Sequence, residues 1–383
     1  MHSNDPRPLA GVRVLELARV LAGPWAGQLL ADLGAEVIKV ESPQGDDTRR
    51  WGPPFDADGT AAYFHSCNRG KASIVADFAN PDDLARVRQL ASEADVLIEN
   101  FKLGGLAKYG LDAATLRAAN AGLIYCSITG FGQTGPYAPR PGYDFVVQGM
   151  SGIMDLTGEP EGSPQKIGVA FADIFTGMYA TVAIQAALIR RARTGTGDHI
   201  DMSLLDVMTG VLANQGMNAL FGQVPTRMRN AHPNVAPYSV YRCADGWFIL
   251  AVGNDRQFAS ACRVLELDAL GSDARFATNA GRLEHREAMS EALNTATSRW
   301  PCDALLAALA EAGVPAGPIN RVDEALADPH VASRGLVLDM AREDGTHVPG
   351  LATPIRFAEA ALATPRPSPR LGENGALAGF TQR

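Results

Sequence analysis

Several familiar catalytic signatures are missing from this 383-residue sequence. No GxGxxG follows the first apolar run and no GxxxxGK[ST] occurs, which argues against a dinucleotide oxidoreductase and a P-loop NTPase. The seven histidines form no HExxH or other metal-ligand spacing, and no serine sits in a GxSxG elbow, so metal-dependent and Ser-His-Asp hydrolysis are set aside. Five cysteines, at 67, 126, 243, 262 and 302, are an odd number with no CxxC. That excludes a small disulfide scaffold or a CxxC-type zinc site and fits a reducing, cytoplasmic compartment. Residues 1–11 lack an apolar h-region, so no signal peptide is expected. The longest near-apolar stretch, Met178–Ile189, is interrupted by Gln185 and is short for a bilayer, so no membrane partner is expected. Basic residues are outnumbered 34 to 42, and a net charge of −8 makes a poor nucleic-acid binder.

Hydrophobic residues make up 46% and charged ones 20%, a globular composition. The length suits two or three domains. The first 130 residues alternate strand-like and helix-like runs. Strands are expected at Val12–Leu17, Val37–Val40, Ala72–Ala76, Val96–Ile98 and Leu123–Ile128. Between them lie helical stretches, one opening with Asn80 as N-cap and Pro81 at the first helical position. The alternation implies an α/β fold with a parallel sheet covered by helices. A long helix over Asp173–Arg193, a strand at His199–Met202 and a helix at Leu204–Leu220 follow. Residues 222–237 read as a linker, and 238–320 as a smaller α+β unit with a strand-turn-strand around Asp245-Gly246.

Ligands of parallel sheets bind beyond the carboxyl ends of the strands. Asp173 stands at the start of the long helix, where aspartate is a favoured N-cap. A carboxylate there can equally act as a covalent nucleophile, and both readings stand on spacing alone. Tyr143-Asp144 reads as a turn with a second N-cap, or as a pocket wall beside Gly130. Asn68-Arg69-Gly-Lys71, Asn100-Phe101-Lys102, Lys39, Arg49, Arg50 and Lys108 add positive charge to the same half. They are either solvated surface or an anion-binding lining. Arg227, Arg229 and His232 stand in the linker.

Taken in order, several segments resemble the family III CoA-transferases. They are Gly11–Leu17, Ala22–Pro24, Leu30–Glu41, Asn68–Lys71, Asp95–Phe101, Ser127–Gly132, Gly142–Asp144, Ala172–Gly177, Thr194–Gly197, Gly313–Pro318 and Leu371–Glu373, so the likeness runs from about residue 9 to 375. The resemblance implies a Rossmann-like large domain made from both chain ends (1–221 and 321–383), a small domain at 238–320, and an interlocked homodimer. It implies that Asp173 is the nucleophile, with coenzyme A as substrate and product and no tightly bound cofactor or metal. CoA contacts are expected from Val20, Leu21, Ala22, Lys39, Asn68, Arg69, Lys71, Asn100, Phe101, Lys108, Thr129, Gly130 and Tyr143. Substrate contacts are expected from Arg227, Arg229, His232 and Asn254. The branch most resembled moves CoA from succinyl-CoA to short dicarboxylic acids. The alternative is a 2-methylacyl-CoA racemase, but Tyr143 stands where the racemases carry a histidine.

Overall fold

A computed structural model describes residues 5–375 and 379–381. The chain divides into two units. The larger holds Met1–Met154, Lys166–Val224 and Pro329–Arg383; the smaller holds Asp155–Gln165 and Pro225–Asp328. The sequence boundaries differ at two segments, and 321–328, assigned to the large domain, falls in the small unit. Segment 155–165, read as part of the large domain, belongs to the small unit. Arg227 is the reason, since its guanidinium bonds the Asp155 carboxylate and the Glu159 carbonyl.

The large unit is built on six strands: β1 (Arg13–Glu16), β2 (Glu36–Glu41), β3 (Ala72–Val75), β4 (Val96–Glu99), β5 (Ile124–Thr129) and β6 (His199–Ser203). Their order is β3-β2-β1-β4-β5-β6, and every neighbouring pair is parallel. Six helices matter here: α1 (Ala22–Asp32), α2 (Pro81–Glu93), α3 (Ala113–Ala119), α4 (Asp144–Met150), α5 (Phe171–Thr194) and α6 (Leu204–Gly210). Both sheet faces are covered, so the strands are apolar on both sides. Val14, Ile98, Cys126 and Ile128 pack with Ala180, Ile184 and Met208 of α5 and α6. Leu15, Leu97 and Tyr125 point the other way, onto Val87 and Leu90 of α2 and Leu116 of α3. Asn80 caps α2 as expected, accepting from the Asp82 amide at 2.9 Å. The helix expected over Leu204–Leu220 breaks in two, because Ala213 adopts a left-handed φ of 48°.

The C-terminal stretch around Gly372–Asn374 covers the exposed edge of β3, where unpaired strand groups would otherwise face solvent. Ser73 and Asn374 exchange two hydrogen bonds there, and the Gly372 amide donates to the Ser73 hydroxyl. α5 has 24 residues and is long and apolar enough to span a membrane by length and composition. One of its faces is committed to this unit, however. Gly177 lies so close to α1 that a Cβ would stand 2.6 Å from the Ala22 carbonyl oxygen.

The small unit has an antiparallel sheet of β7 (Tyr238–Arg242), β8 (Trp247–Ala251) and β9 (Ala316–Pro318). Tyr241, Phe248, Phe258, Met289 and Leu305 fill its core. The hairpin turns at Asp245-Gly246, as the sequence suggested.

Candidate active site

The strand order reverses direction between β1 and β4, the switch point where α/β sheets place their ligands. A cleft of about 420 Å³ opens there. Its walls come from Arg19–Ala22 after β1, Asn100–Leu103 after β4, Ile128–Gly130 at the end of β5, and the loop Ala138–Tyr143. Asp173 in the first turn of α5 completes it. Gly130 and Gly142 let two backbones cross beneath it; a Cβ on Gly130 would meet the Gly142 Cα at 2.5 Å. Val20, Leu21, Ala22, Asn100, Phe101, Thr129, Gly130, Tyr143 and Asp173, all named from sequence, line this one cleft. A second cleft of about 310 Å³, beyond β1, β2 and β3, shares Arg19 and Phe101 with it.

Asp173 is not the cap of its helix. The N-cap position is Ala170, which offers no side-chain acceptor. Asp144 supplies the missing acceptor from α4. Its Oδ1 accepts from the Ala172 amide at 2.8 Å and the Asp173 amide at 3.3 Å. Gln148 donates to its Oδ2 at 2.7 Å and, through Oε1, accepts from the Ile167 amide, tying the loop before α5 to α4. The Asp173 carboxylate is thereby released from capping, and among the described residues no donor bonds its oxygens. Burial raises its pKa from 3.8 to about 7, and the Asp144 charge adds to the rise. Tyr63 feels the same charges: burial, then Asp173, push its phenol up to about 12. Neither the borrowed cap nor Tyr63 has a local sequence signal, because each depends on a long-range contact.

Five residues expected to hold CoA lie outside the Asp173 cleft: Lys39, Asn68, Arg69, Lys71 and Lys108, with Asn68 buried and donating to the Phe64 carbonyl. Lys39 and Lys71 have fully buried side chains, and both grip Glu16, at 3.1 and 2.8 Å. Lys71 also donates to the Pro24 carbonyl and to Asn68 Oδ1, both within 2.9 Å. Arg69 is buried in an ion pair with Asp32 and donates to the Leu351 carbonyl. A charge deep in the fold must be paired, and these are paired with acids of their own chain. They support the floor of the unit and do not line the Asp173 cleft. Lys108 lies on an exposed turn, its ammonium over the Tyr109 ring at 4.7 Å, and is not among the cleft residues.

The substrate candidates fall in the small unit. Arg227 pairs with Asp155 at 2.8 Å and Arg229 with Glu159 at 2.5 Å. His232 packs against the Tyr238 ring and accepts from the Asn234 amide. Asn254 is the N-cap of the helix Asp255–Val264. Cations that do line the Asp173 cleft are Arg19, Lys102 and Arg140. Arg140 lies over the Tyr137 ring at 4.2 Å with no carboxylate partner among the described residues. No motif singled out Arg140, which sits in an ordinary-looking proline-flanked loop.

Residues 9–375 match the family described as CoA-transferase family III. The chain belongs to CoA-transferase family III. A succinate–glutarate CoA-transferase of Agrobacterium fabrum is 58% identical over 97% of this chain and 95% of its own. The human succinyl-CoA:glutarate CoA-transferase is 40% identical, covering 97% and 85%. A solved CaiB/BaiF family protein from Brucella suis superposes with a TM-score of 0.87 at 61% identity, over 96% and 97% of the chains. The chain is therefore a CoA-transferase acting on CoA thioesters, and its α/β architecture is that of the family.

Proposed function

We propose that this enzyme moves CoA from succinyl-CoA to a short dicarboxylic acid of the glutarate type, with Asp173 as covalent carrier. The observation that carries the reading is the Asp173 carboxylate itself, lining the switch-point cleft with no donor on its oxygens among the described residues. The names of the relatives, succinate–glutarate and succinyl-CoA:glutarate CoA-transferase, supply the substrate class.

The steps balance with no external reagent. Ionised Asp173 attacks the thioester carbonyl; the C–S bond breaks, leaving an aspartyl–acyl anhydride and CoA thiolate. The thiolate attacks the aspartyl carbonyl, releasing the donor acid and giving an aspartyl-CoA thioester. The acceptor carboxylate then repeats the exchange in reverse. Holding the thiolate in the cleft gives it a high effective concentration, and a low-water site protects the anhydride. Amide groups at the open N-terminus of α1, where Leu21 and Ala22 enter the cleft, suit the oxyanion formed at each attack. Arg19, Lys102 and Arg140 replace the buried lysines as contacts for the anionic parts of the substrates.

The racemase alternative needs a second free base. Asp144 is the nearest acid, and its carboxylate is occupied by two backbone amides and Gln148.

We also assign a homodimer. Val182 and Ile189 of α5 are 64% and 65% exposed, and Leu220, Phe221 and Val224 exceed that. Apolar exposure on this scale marks a protein interface, and a second copy presents the same apolar surface.

The test is turnover of succinyl-CoA with glutarate, hydroxymethylglutarate, itaconate, citramalate and monocarboxylates. Asp173→Ala should retain its fold and lose all transfer, and hydroxylamine should trap an acyl-enzyme only when Asp173 is present. Full turnover by Asp173→Ala would rule the mechanism out.

A further inference from the structure

Val20 lines the active cleft with a φ of 70°. Left-handed backbone is rare for any residue but glycine, and for a β-branched side chain it is a genuine outlier. Such a conformation persists only where its surroundings over-determine it. Here they do so from both sides. Asn100 brackets the preceding residue, accepting from the Arg19 amide at 2.9 Å and donating to the Arg19 carbonyl at 2.7 Å. The Val20 amide donates to both oxygens of Asp46, at 3.3 and 3.2 Å. The Cys67 thiol reaches the Val20 carbonyl at 3.5 Å.

Asp46 is itself fixed from beneath. Its Oδ2 lies 2.9 Å from Lys39 Nζ, and both side chains are fully buried. Thr48 donates twice to Oδ1, and the Asp46 amide donates to Glu41. Lys39 in turn donates to Glu16 and to the carbonyl of Ala18, two residues before Val20. The burial of Lys39 works against its charge, but Glu16, Asp46 and Glu41 outweigh that and keep it protonated. The ion pair thus runs from the core to the acceptor of the Val20 amide.

We propose that Asp46, backed by Lys39, is a positioning residue for transfer. It locks Val20 in the left-handed conformation and so aims Leu21 and the first turn of α1 into the cleft that holds Asp173. Lys39, which the sequence offered as a phosphate contact, acts on the chemistry from below. This inference rests on the Asp173 carrier reading.

A double-mutant cycle of Asp46→Asn with Val20→Gly tests it. Glycine reaches the left-handed region without a clamp. Asp46→Asn alone should lower kcat about 10- to 100-fold, the scale of a misplacement of about 1 Å. In the Val20→Gly background the same change should cost less than about 3-fold, because the clamp is no longer needed. A merely structural role for Asp46, such as capping at Thr48, would cost the same factor in both backgrounds and would overturn the proposal. A crystal structure of Asp46→Asn gives a second readout. Residue 20 should leave the left-handed region, and a φ still near 70° would overturn the proposal whatever the rates. That readout holds even if no acid in the panel is turned over, so failure of the carrier reading is told apart from failure of the clamp.

Discussion

The enzyme should become more stable when Asp173, the proposed carrier, is replaced, and the gain should depend on pH. Burial, then the Asp144 charge, hold Asp173 at about 7 against a reference of 3.8. A native-state pKa above the unfolded one means that the folded chain binds the proton more tightly. Ionising Asp173 therefore costs stability progressively as pH rises from about 4 to about 7, and the cost is full above that. About three pKa units correspond to a ceiling of about 4 kcal/mol, and partial solvent access halves this to about 2 kcal/mol. Asp173→Asn keeps the shape and cannot ionise. It should melt higher than the wild type at pH 8 by about 2–4 °C, for roughly 1–2 °C per kcal/mol in a chain of this size. At about pH 5 the advantage should shrink to about half of that, and it should fade below about pH 4. Differential scanning fluorimetry of both proteins across this range measures it, beside the loss of transfer. An equal advantage at pH 5 and pH 8 would place its origin in packing, and the charged, destabilised nucleophile would be refuted.

Four other outcomes follow from the same geometry. The acid limb of kcat/KM should titrate near pH 7, because in the proposed mechanism only ionised Asp173 attacks, and Asp144→Asn should move it to lower pH by removing a like charge while keeping an acceptor for the α5 amides. Lys71→Met leaves Glu16 short of a buried partner and should destabilise by about 3–5 kcal/mol, read as lost soluble yield or a lower melting point and not as a raised KM for CoA. Arg140→Ala should raise the KM for succinyl-CoA several-fold, with a smaller effect at high salt, where exposed charges are screened. Gly177→Val should separate α1 from α5 and cost about 1–3 kcal/mol, with kcat falling alongside the melting point because the two helices carry Ala22 and Asp173.

Strands were legible from sequence because their signal is local. Val14-Leu15, Val96-Leu97-Ile98 and Leu123–Ile128 are apolar on both faces, and that is what a doubly covered parallel strand demands. The cleft wall was legible for a related reason: polar and glycine residues just past a strand end can only face the ligand edge. Charge was not legible. Lys39 and Lys71 look the same in sequence as Lys102, but Glu16 and Asp46, 23 and 7 residues from Lys39, draw the first two inward. A lysine's place is set by which acid the fold brings to it, and no spacing rule reports that.

The same limit explains the two readings of Asp173. Spacing put an aspartate at a helix start and could not separate a cap from a nucleophile, since one carboxylate cannot serve both fully. In the fold the capping falls to a second acid 29 residues away. Asp144 accepts the α5 amides, and the Asp173 carboxylate, in the first turn, has no donor among the described residues. Asp144 also adds its charge to the burial that raises the Asp173 pKa. A single substitution at 144 therefore acts on both functions. Asp144→Ala should lose the cap and the like charge together, lowering the melting point while moving the acid limb down. Asp144→Asn should keep the cap, moving the acid limb down with a small gain in melting point above about pH 7. If both variants shifted stability equally and left the pH profile in place, the two acids would not be coupled, and the raised pKa would have to come from burial only.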